Sequence, residues 1–238
     1  MRAAKGIPST AAITPIQFCE KYCQYVDEGY TDVIHVPINR SGSSTYNNAV
    51  MAQGMLREER PEHHLNIHLL DPHTYSMVFG WYLCEMARKL QNGAELRHVI
   101  SEFETQMNKM EIILGPYSLK QMKKSGRISA AAAVMGELMG IRPIITLIDG
   151  KTRVESKVRG DDKVIPAMID LCKKRTEGVE DFDYMIGHTS IPQAAELEKA
   201  CRKAFGKAPL TTFNLGGVVS ANTGPDTLAL VYVGKPRD

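Results

Sequence analysis

Apolar and polar residues in the first half of the chain repeat with a period that switches between helical and strand-like. Residues 15–30 have helical spacing, with Thr14 placed to cap the helix and Gly29 placed to end it. The run at 32–39, rich in Val and Ile, predicts a buried strand. The segments that continue this alternation are helices at about 45–60, 74–90 and 95–107 and a strand at 65–71. Alternating strands and helices predict parallel βαβ units with helices on the sheet faces.

After about Asn108 the pattern changes, because some apolar runs are joined by short turns instead of helices. The runs at 143–149 and 151–160 meet at Asp149-Gly150, a dipeptide typical of a hairpin turn. The other predicted strands are 110–116, 183–189, 210–222 and 228–234, and the predicted helices are 119–124, 130–139, 164–174 and 192–205. This mixture predicts a mixed sheet. The sequence therefore predicts an α/β protein with a parallel-sheet domain at 1–108, a mixed-sheet domain at 109–238, and a ligand cleft between them.

Composition narrows the class of protein without naming a function. The 238 residues are 43% hydrophobic and 24% charged, which is typical of a globular protein. A net charge of +2 gives no general attraction to nucleic acid or to an anionic membrane. No stretch approaches the roughly 20 apolar residues that span a bilayer, and the first ten residues lack the apolar region of a secretory signal. We therefore expect a cytoplasmic protein that binds no nucleic acid and makes at most transient membrane contact.

The cysteines and histidines are candidate metal ligands, but their spacing favours simpler interpretations. Five scattered cysteines argue against a disulfide framework and fit a reducing cytosol. Cys19 and Cys23 are four residues apart on a predicted helix and can share a face, but packing is the favoured interpretation there. His64 and His68 are also four apart, yet a strand begins between them, which favours a solvated loop. The sequence therefore predicts no metal site, and the absence of a Walker-type lysine loop disfavours nucleotide binding.

The segment 40–45, Arg-Ser-Gly-Ser-Ser-Thr, is the first candidate binding site. It follows a predicted parallel strand and precedes a helix, where ligands bind in open α/β sheets. The N–H groups of a helix start and the hydroxyls of Ser43, Ser44 and Thr45 together suit an anion. Simple helix capping explains these residue types equally well. A nucleophilic serine is less favoured, because no glycine-x-serine-x-glycine motif is present.

Two further segments are weaker candidates. Ser9 and Thr10 precede the first helix, where a capped N-terminal loop is favoured over a ligand site. The basic turn at 123–129 opens onto the helix at 130–139, which is rich in alanine and methionine. Small and flexible side chains suit a narrow apolar channel with a cation near its mouth, and they suit a closely packed helix equally well.

Taken in order, seven segments of this chain resemble the DegV family. They are residues 8–15, 41–49 (SGSSTYNNA), 69–87 (LLDPHTYSMVFGWYLCEMA), 117–129 (YSLKQMKKSGRIS), 140–160, 186–197 (IGHTSIPQAAEL) and 220–232 (SANTGPDTLALVY). The strongest match is the block from KKSGRIS to KVRG. The resemblance covers essentially the whole chain.

This resemblance implies a bacterial protein of two α/β domains that binds one long-chain fatty acid between them. Several family members serve as the fatty-acid-binding subunit of a fatty acid kinase and present the acyl carboxylate to a separate ATP-using subunit. The resemblance implies that Thr10 and Ser43 hydrogen-bond the carboxylate together with the backbone N–H of Ser44. Arg127 matches a family arginine near the head group, and the helix at 130–139 would line the acyl channel.

The chain departs from the family pattern at two places. It begins at the Thr/Ser loop, whereas family members usually begin with an additional strand-helix unit, so the resemblance implies a partial N-terminal sheet. Near the end, Asn222 stands where a histidine usually precedes Thr-Gly-Pro. If that histidine assists phosphoryl transfer, the departure bears on the kinase role and not on lipid binding.

From these observations we expect a fatty-acid carrier that performs no catalysis and needs no cofactor. The sequence contains no recognisable pair of nucleophile and base. Two rival interpretations remain open, a serine-dependent acyl hydrolase or transferase that uses Ser43 and an interaction module without a ligand. Turnover of acyl esters would distinguish the first, and a sealed or fully polar cleft would favour the second.

Overall fold

The computed structural model describes residues 8–126 and 140–236. Its contacts divide the chain into two compact units, Ala11–Tyr75 and Ser76–Asp238 with Met1–Thr10. The predicted helix at 130–139 and its proposed channel lie outside the described residues. Among the described helices, none has the length and apolar character needed to cross a membrane.

The smaller unit, Ala11–Tyr75, is built from two strands and two helices. Its elements in chain order are α1 (Pro15–Asp27), β1 (Asp32–His35), α2 (Thr45–Glu59) and β2 (Asn66–Leu69). Strands β1 and β2 pair in parallel, with Asp32 opposite Asn66. The predicted parallel βαβ arrangement is therefore confirmed. Its core is formed by buried residues of both helices and the residue just before β2, namely Phe18, Cys19, Tyr22, Ala49, Ala52, Leu56 and Leu65.

Local sequence signals define both ends of α1. The Thr14 hydroxyl accepts a hydrogen bond from Gln17 N, and the Gln17 side chain accepts one from Thr14 N, which forms a capping box. After the helix, Gly29 has a φ of +80°, a left-handed conformation that glycine adopts without steric cost. The predicted cap and the predicted end are both confirmed.

The larger unit, Ser76–Asp238, is organised around a six-stranded sheet. Its strands are β3 (Met110–Pro116), β4 (Ile141–Ile148), β5 (Lys151–Arg159), β6 (Tyr184–His188), β7 (Thr212–Asn214) and β8 (Thr227–Val233). Its described helices are α3 (Met77–Gln91), α4 (Leu96–Met107), α5 (Lys120–Ser125), α6 (Val164–Arg175), α7 (Gln193–Phe205) and α8 (Gly216–Thr223). The strand order is β5-β4-β3-β8-β6-β7, antiparallel throughout except for the parallel pair β6-β7. The predicted mixed sheet is confirmed.

The centre of this sheet is its most buried part. Every residue of β3 is buried, and β8 is buried from Thr227 to Tyr232. The hairpin between β4 and β5 turns at Asp149 and Gly150, whose φ angles are +49° and +72°. Positive φ at both central positions matches the right-handed twist of the flanking strands, so the turn predicted at Asp149-Gly150 is confirmed.

The strand predicted at 210–222 is wrong beyond Asn214. The chain leaves the extended conformation at Leu215, whose φ and ψ are −61° and −15°, passes through Gly216 with a φ of +78°, and continues as helix α8. This helix packs against α5, and the Gln121 side chain donates a hydrogen bond to Ala221 O. A short apolar run has no period long enough to separate strand from helix, so the tertiary contact decides the conformation.

The division between compact units falls at Tyr75–Ser76, ahead of the domain boundary predicted near Asn108. Helices α3 and α4 pack against each other and lie in the unit of the six-stranded sheet. Only Asn108 and Lys109 separate α4 from β3, which leaves no room for a linker. The assignment of 1–108 and 109–238 as domains stays a prediction.

Candidate functional site

The loop between β1 and α2 is held in shape by Asn39. This residue is 1% exposed, and its Oδ1 accepts hydrogen bonds from Ser41 N at 2.7 Å and Ser41 Oγ at 2.6 Å. Its backbone N–H donates to Thr74 O at 3.1 Å, and its carbonyl accepts from Gly42 N at 3.2 Å. The buried Asn39 thus shapes the start of the serine loop through its side chain and links it to the segment after β2 through its backbone N–H.

Ser43 lies at the start of α2, where its hydroxyl has two close neighbours. Ser43 Oγ is 2.7 Å from Thr45 Oγ1 and accepts a hydrogen bond from Thr45 N at 3.2 Å. Ser44 is exposed and occupies the cap position, but its side chain makes no capping hydrogen bond. The first four N–H groups of an α-helix have no partner within the helix. The Ser43 hydroxyl accepts a hydrogen bond from one of them, that of Thr45. The loop therefore presents hydroxyl and N–H donors together at the positive end of a helix.

Gly42 is required by the close approach of Tyr75. A Cβ atom at position 42 would overlap the Tyr75 hydroxyl, so a larger residue there would displace one of the two segments. Burial, together with the negative charge of Asp71, raises the pKa of Tyr75 above its ordinary value. The phenol is therefore neutral at physiological pH and available as a hydrogen-bond donor beside the serine loop.

A polar cluster follows β2 and faces the same loop. The Asp71 side chain is 9% exposed, and its Oδ2 lies 3.2 Å from Arg40 Nε. Its Oδ1 accepts a hydrogen bond from His73 N at 2.9 Å. Thr74 is buried, and its Oγ1 has no hydrogen-bond partner within the described parts of the chain. The carboxyl ends of both parallel strands thus lead into polar residues, as expected for a ligand site in an open α/β sheet.

The residues after β2 are a part of the candidate site that the sequence pattern alone does not reveal. The helix predicted from Thr74 begins instead at Met77, because His73 and Ser76 have φ angles of +55° and +60°. Non-glycine residues rarely have a positive φ, and those that do cluster at ligand-binding and active sites. The dipeptide Asp71-Pro72 offered a turn signal, but a pattern cannot show that the turn contacts a loop thirty residues earlier.

The four predicted head-group residues are not brought together within one described unit. Ser43 and Ser44 lie in the loop just described. Thr10 is exposed and belongs to the unit that contains Ser76–Asp238. Arg127 lies outside the described residues. The set of Thr10, Ser43, Ser44 and Arg127 therefore stays a prediction.

The segment around Asn222 is held by a separate set of hydrogen bonds. Asn222 Nδ2 donates to Val218 O at 2.9 Å, within α8. At the next residue, Thr223 O accepts from Thr227 Oγ1 at 3.1 Å, and Thr227 N donates to Thr189 Oγ1 at 2.9 Å. The Asn222 side chain thus stabilises its own helix through one donor.

Comparison with known proteins finds similar sequences and similar solved structures over nearly the whole chain. A DegV domain-containing protein of Clostridium perfringens is 29% identical over 232 residues, which cover 95% of this chain and 78% of the relative. The crystal structure of a stearic acid-binding protein from Eubacterium ventriosum matches with a TM-score of 0.86 at 21% identity, covering 98% of this chain and 80% of that chain. A fatty acid binding DegV family protein from Streptococcus agalactiae matches with a TM-score of 0.83 at 25% identity, covering 98% and 81%.

These solved structures share the two-domain α/β fold of this chain. The family model described as "Uncharacterised protein, DegV family" matches residues 1–235. A match of that extent includes both compact units and every segment on which the resemblance rests. The chain belongs to the DegV family.

Proposed function

We propose that this protein binds one long-chain fatty acid and holds its carboxylate at the serine loop. The observation that carries the proposal is the Ser43 hydroxyl just before α2, beside first-turn N–H groups that have no partner within the helix. Thr10 and Arg127 complete the proposed head-group site. The proteins from Eubacterium ventriosum and Streptococcus agalactiae, described as fatty-acid-binding, support this choice of ligand.

The physical chemistry of a fatty acid suits such a loop. Burial of a carboxylate is costly unless the charge is hydrogen-bonded or paired, and hydroxyl and N–H donors at a helix start meet this need. Each buried methylene contributes about 0.8 kcal/mol. A chain of about sixteen carbons therefore contributes on the order of 10 kcal/mol before the costs of association. The tail supplies the affinity, and the loop sets the direction in which the acid lies.

The proposal is tested by the lipid that the protein carries. Protein purified under native conditions, without detergent, is extracted with organic solvent, and mass spectrometry identifies and counts the acids. We expect about one long-chain fatty acid per chain. Delipidated protein that then fails to bind palmitate or oleate would contradict the proposal.

Ser43→Ala is expected to weaken fatty-acid binding without unfolding the protein. A lost hydrogen bond to a charged group costs about 1.5–3 kcal/mol, which lowers affinity roughly ten- to a hundredfold. Displacement of a fluorescent fatty acid measures the change. Unchanged affinity in a folded variant would remove Ser43 from the site.

Ser118→Ala is the matched control for this substitution. Ser118 Oγ accepts a hydrogen bond from Lys120 N at 3.4 Å, the same two-residue geometry that Ser43 has with Thr45. Both variants remove a hydroxyl from a helix start and cost a similar small amount of local stability. Only Ser43→Ala is expected to change the affinity for palmitate.

The contacts of Ser43 favour a carrier over a hydrolase. A nucleophilic serine needs a general base within hydrogen-bond reach. In the described structure the close partners of Ser43 Oγ are the hydroxyl and N–H of Thr45, and neither can act as a base. Hydrolysis of acyl esters that disappears in Ser43→Ala would overturn this assignment.

A finer proposal is that the bound carboxylate is presented to a separate ATP-using kinase subunit. The family resemblance and the exposed position of Ser44 at the proposed head-group end support it. Asn222, in place of the usual histidine, uses its Nδ2 within α8. Formation of acyl phosphate in a mixture of this protein, ATP, palmitate and a bacterial kinase subunit measures the activity, and Asn222→His tests whether a histidine raises it.

A further inference from the structure

Two thiols and a carboxylate meet between α1 and α2, away from the serine loop. Cys19 and Cys23 are one turn apart on α1, and Glu59 is the last residue of α2. The two Sγ atoms and one carboxylate oxygen of Glu59 all lie within 4.8 Å of one another. Cys23 Sγ is 3.6 Å from Glu59 Oε2. Three potential metal ligands from two packed helices therefore converge on one point.

The spacing of these atoms fits a tetrahedral thiophilic cation. Zinc binds thiolate sulfur at about 2.3 Å and carboxylate oxygen at about 2.0–2.2 Å, so its ligands lie under roughly 4 Å from one another. Small rotations of the side chains close the remaining gap. Three protein ligands leave a fourth position for water or another ligand. Two sulfur ligands favour Zn²⁺ or a similar soft ion over Mg²⁺ or Ca²⁺.

A divalent cation would offset most of the negative charge of the cluster. Two thiolates and one carboxylate carry three negative charges, of which the cation neutralises two, and the neighbouring Arg60 guanidinium adds a further positive charge that it shares with Asp27. Arg60 is close enough to Cys23 to act on that thiol and lower its pKa, although burial keeps the net pKa of Cys23 raised. Its Nη2 lies 3.5 Å from Asp27 Oδ1, but its buried Nε has no hydrogen-bond partner among the described residues.

The unpartnered Nε is a second observation that points to a ligand. A buried donor without an acceptor destabilises the folded protein. Because the Arg60 charge acts on the Cys23 thiol, a metal-bound thiolate is a candidate for the missing acceptor, a role that outer-shell partners commonly have at metal sites. In the absence of an ion, burial raises the pKa of Cys19 to about 12, so ion binding has to displace the thiol protons into solvent.

We propose that Cys19, Cys23 and Glu59 bind one thiophilic divalent cation, with Arg60 as the outer-shell partner. Cys23 and Glu59 are the more accessible ligands and give the ion a path to the buried Cys19. The site is independent of the proposed fatty acid. A bound ion would link the middle of α1 to the last residue of α2 within the smaller compact unit.

Titration of the full-length, reduced, metal-free protein with Co²⁺ tests the proposal. We expect saturation at one ion per chain, with thiolate-to-cobalt charge-transfer absorption in the near ultraviolet that Zn²⁺ abolishes. Cys23→Ser should lower affinity at least about tenfold, the smallest effect typical of losing even an outer-shell partner, and reduce the absorption. Glu59→Gln should weaken binding while the thiolate absorption persists.

Cys84→Ser is the matched control, because Cys84 is an exposed thiol on α3. It should bind Co²⁺ with the affinity and absorption of the unmodified protein. Circular dichroism shows that each variant is folded, and the partly exposed Cys23 and exposed Glu59 make folded variants the expected case. Absence of saturable one-to-one binding, or charge-transfer absorption that keeps its full intensity in Cys23→Ser or disappears in Cys84→Ser, would overturn the assignment.

Discussion

Palmitate is expected to bind this protein roughly two hundredfold more tightly than laurate. The two acids share a carboxylate and differ by four methylenes, each of which contributes about 0.8 kcal/mol when it is buried. The difference of about 3 kcal/mol corresponds to that ratio of dissociation constants. Displacement of a fluorescent fatty acid, below the concentration at which either acid forms micelles, measures both constants.

Measuring the binding of both acids to the Ser43→Ala variant separates the contribution of the head group to the affinity from that of the tail. The hydroxyl of Ser43 and the last four methylenes are far apart along the ligand, so their contributions should add. The substitution is therefore expected to lower the affinity for both acids by the same factor. Equal affinity for laurate and palmitate in the unmodified protein would show that the tail is not buried and would defeat the proposed carrier function.

Glu111→Ala is expected to lower the free energy of unfolding by about 3 kcal/mol. Glu111 is 7% exposed on β3 and lies directly opposite Tyr232 on β8. Its carboxylate accepts hydrogen bonds from Tyr232 Oη at 2.6 Å and from Arg175 Nη2 at 3.1 Å. Hydrogen bonding to this carboxylate raises the pKa of Arg175 above its ordinary value. Removal of the carboxylate leaves a fully buried hydroxyl and a partly buried guanidinium without their acceptor.

Urea denaturation measures this change against two controls. Tyr232→Phe removes one donor and leaves the Glu111–Arg175 pair intact, so it should cost about 1 kcal/mol. Glu102→Ala breaks an exposed ion pair with Lys89 and should leave the urea midpoint unchanged. A Glu111→Ala midpoint equal to that of Glu102→Ala would show that the buried network contributes nothing to stability.

Local signals in the sequence determined the elements whose ends depend on neighbouring residues. Thr14 and Gln17 form a capping box from residues three apart, and Gly29 supplies the left-handed conformation after α1. Asp149-Gly150 requires only its own φ angles to form the hairpin turn. The apolar runs of β3 and β8 are long enough to predict buried strands. Such features are settled within a few residues, so a pattern contains all the information they need.

The serine loop was predicted in part from the same kind of signal. Its place between a strand and a helix follows from the local pattern, and so do the hydroxyls at the helix start. The contacts of the loop with other segments do not follow from that pattern. Asn39 is tied to Thr74, and Gly42 lies against Tyr75, across more than thirty residues of intervening chain. Those contacts shape the candidate site, and no periodicity in the sequence records them.

Tertiary structure alone decided the features that depend on distant segments. The apolar run after Asn214 becomes helix α8 because it packs on α5, a contact that overrides its strand-like composition. Glu111 is a buried charge that is tolerated only because β8 and α6 bring Tyr232 and Arg175 to it. Cys23 and Glu59 are thirty-six residues apart and meet where two helices pack. Burial and partner choice are properties of the folded chain as a whole, since side-chain contacts form between segments that the sequence places far apart.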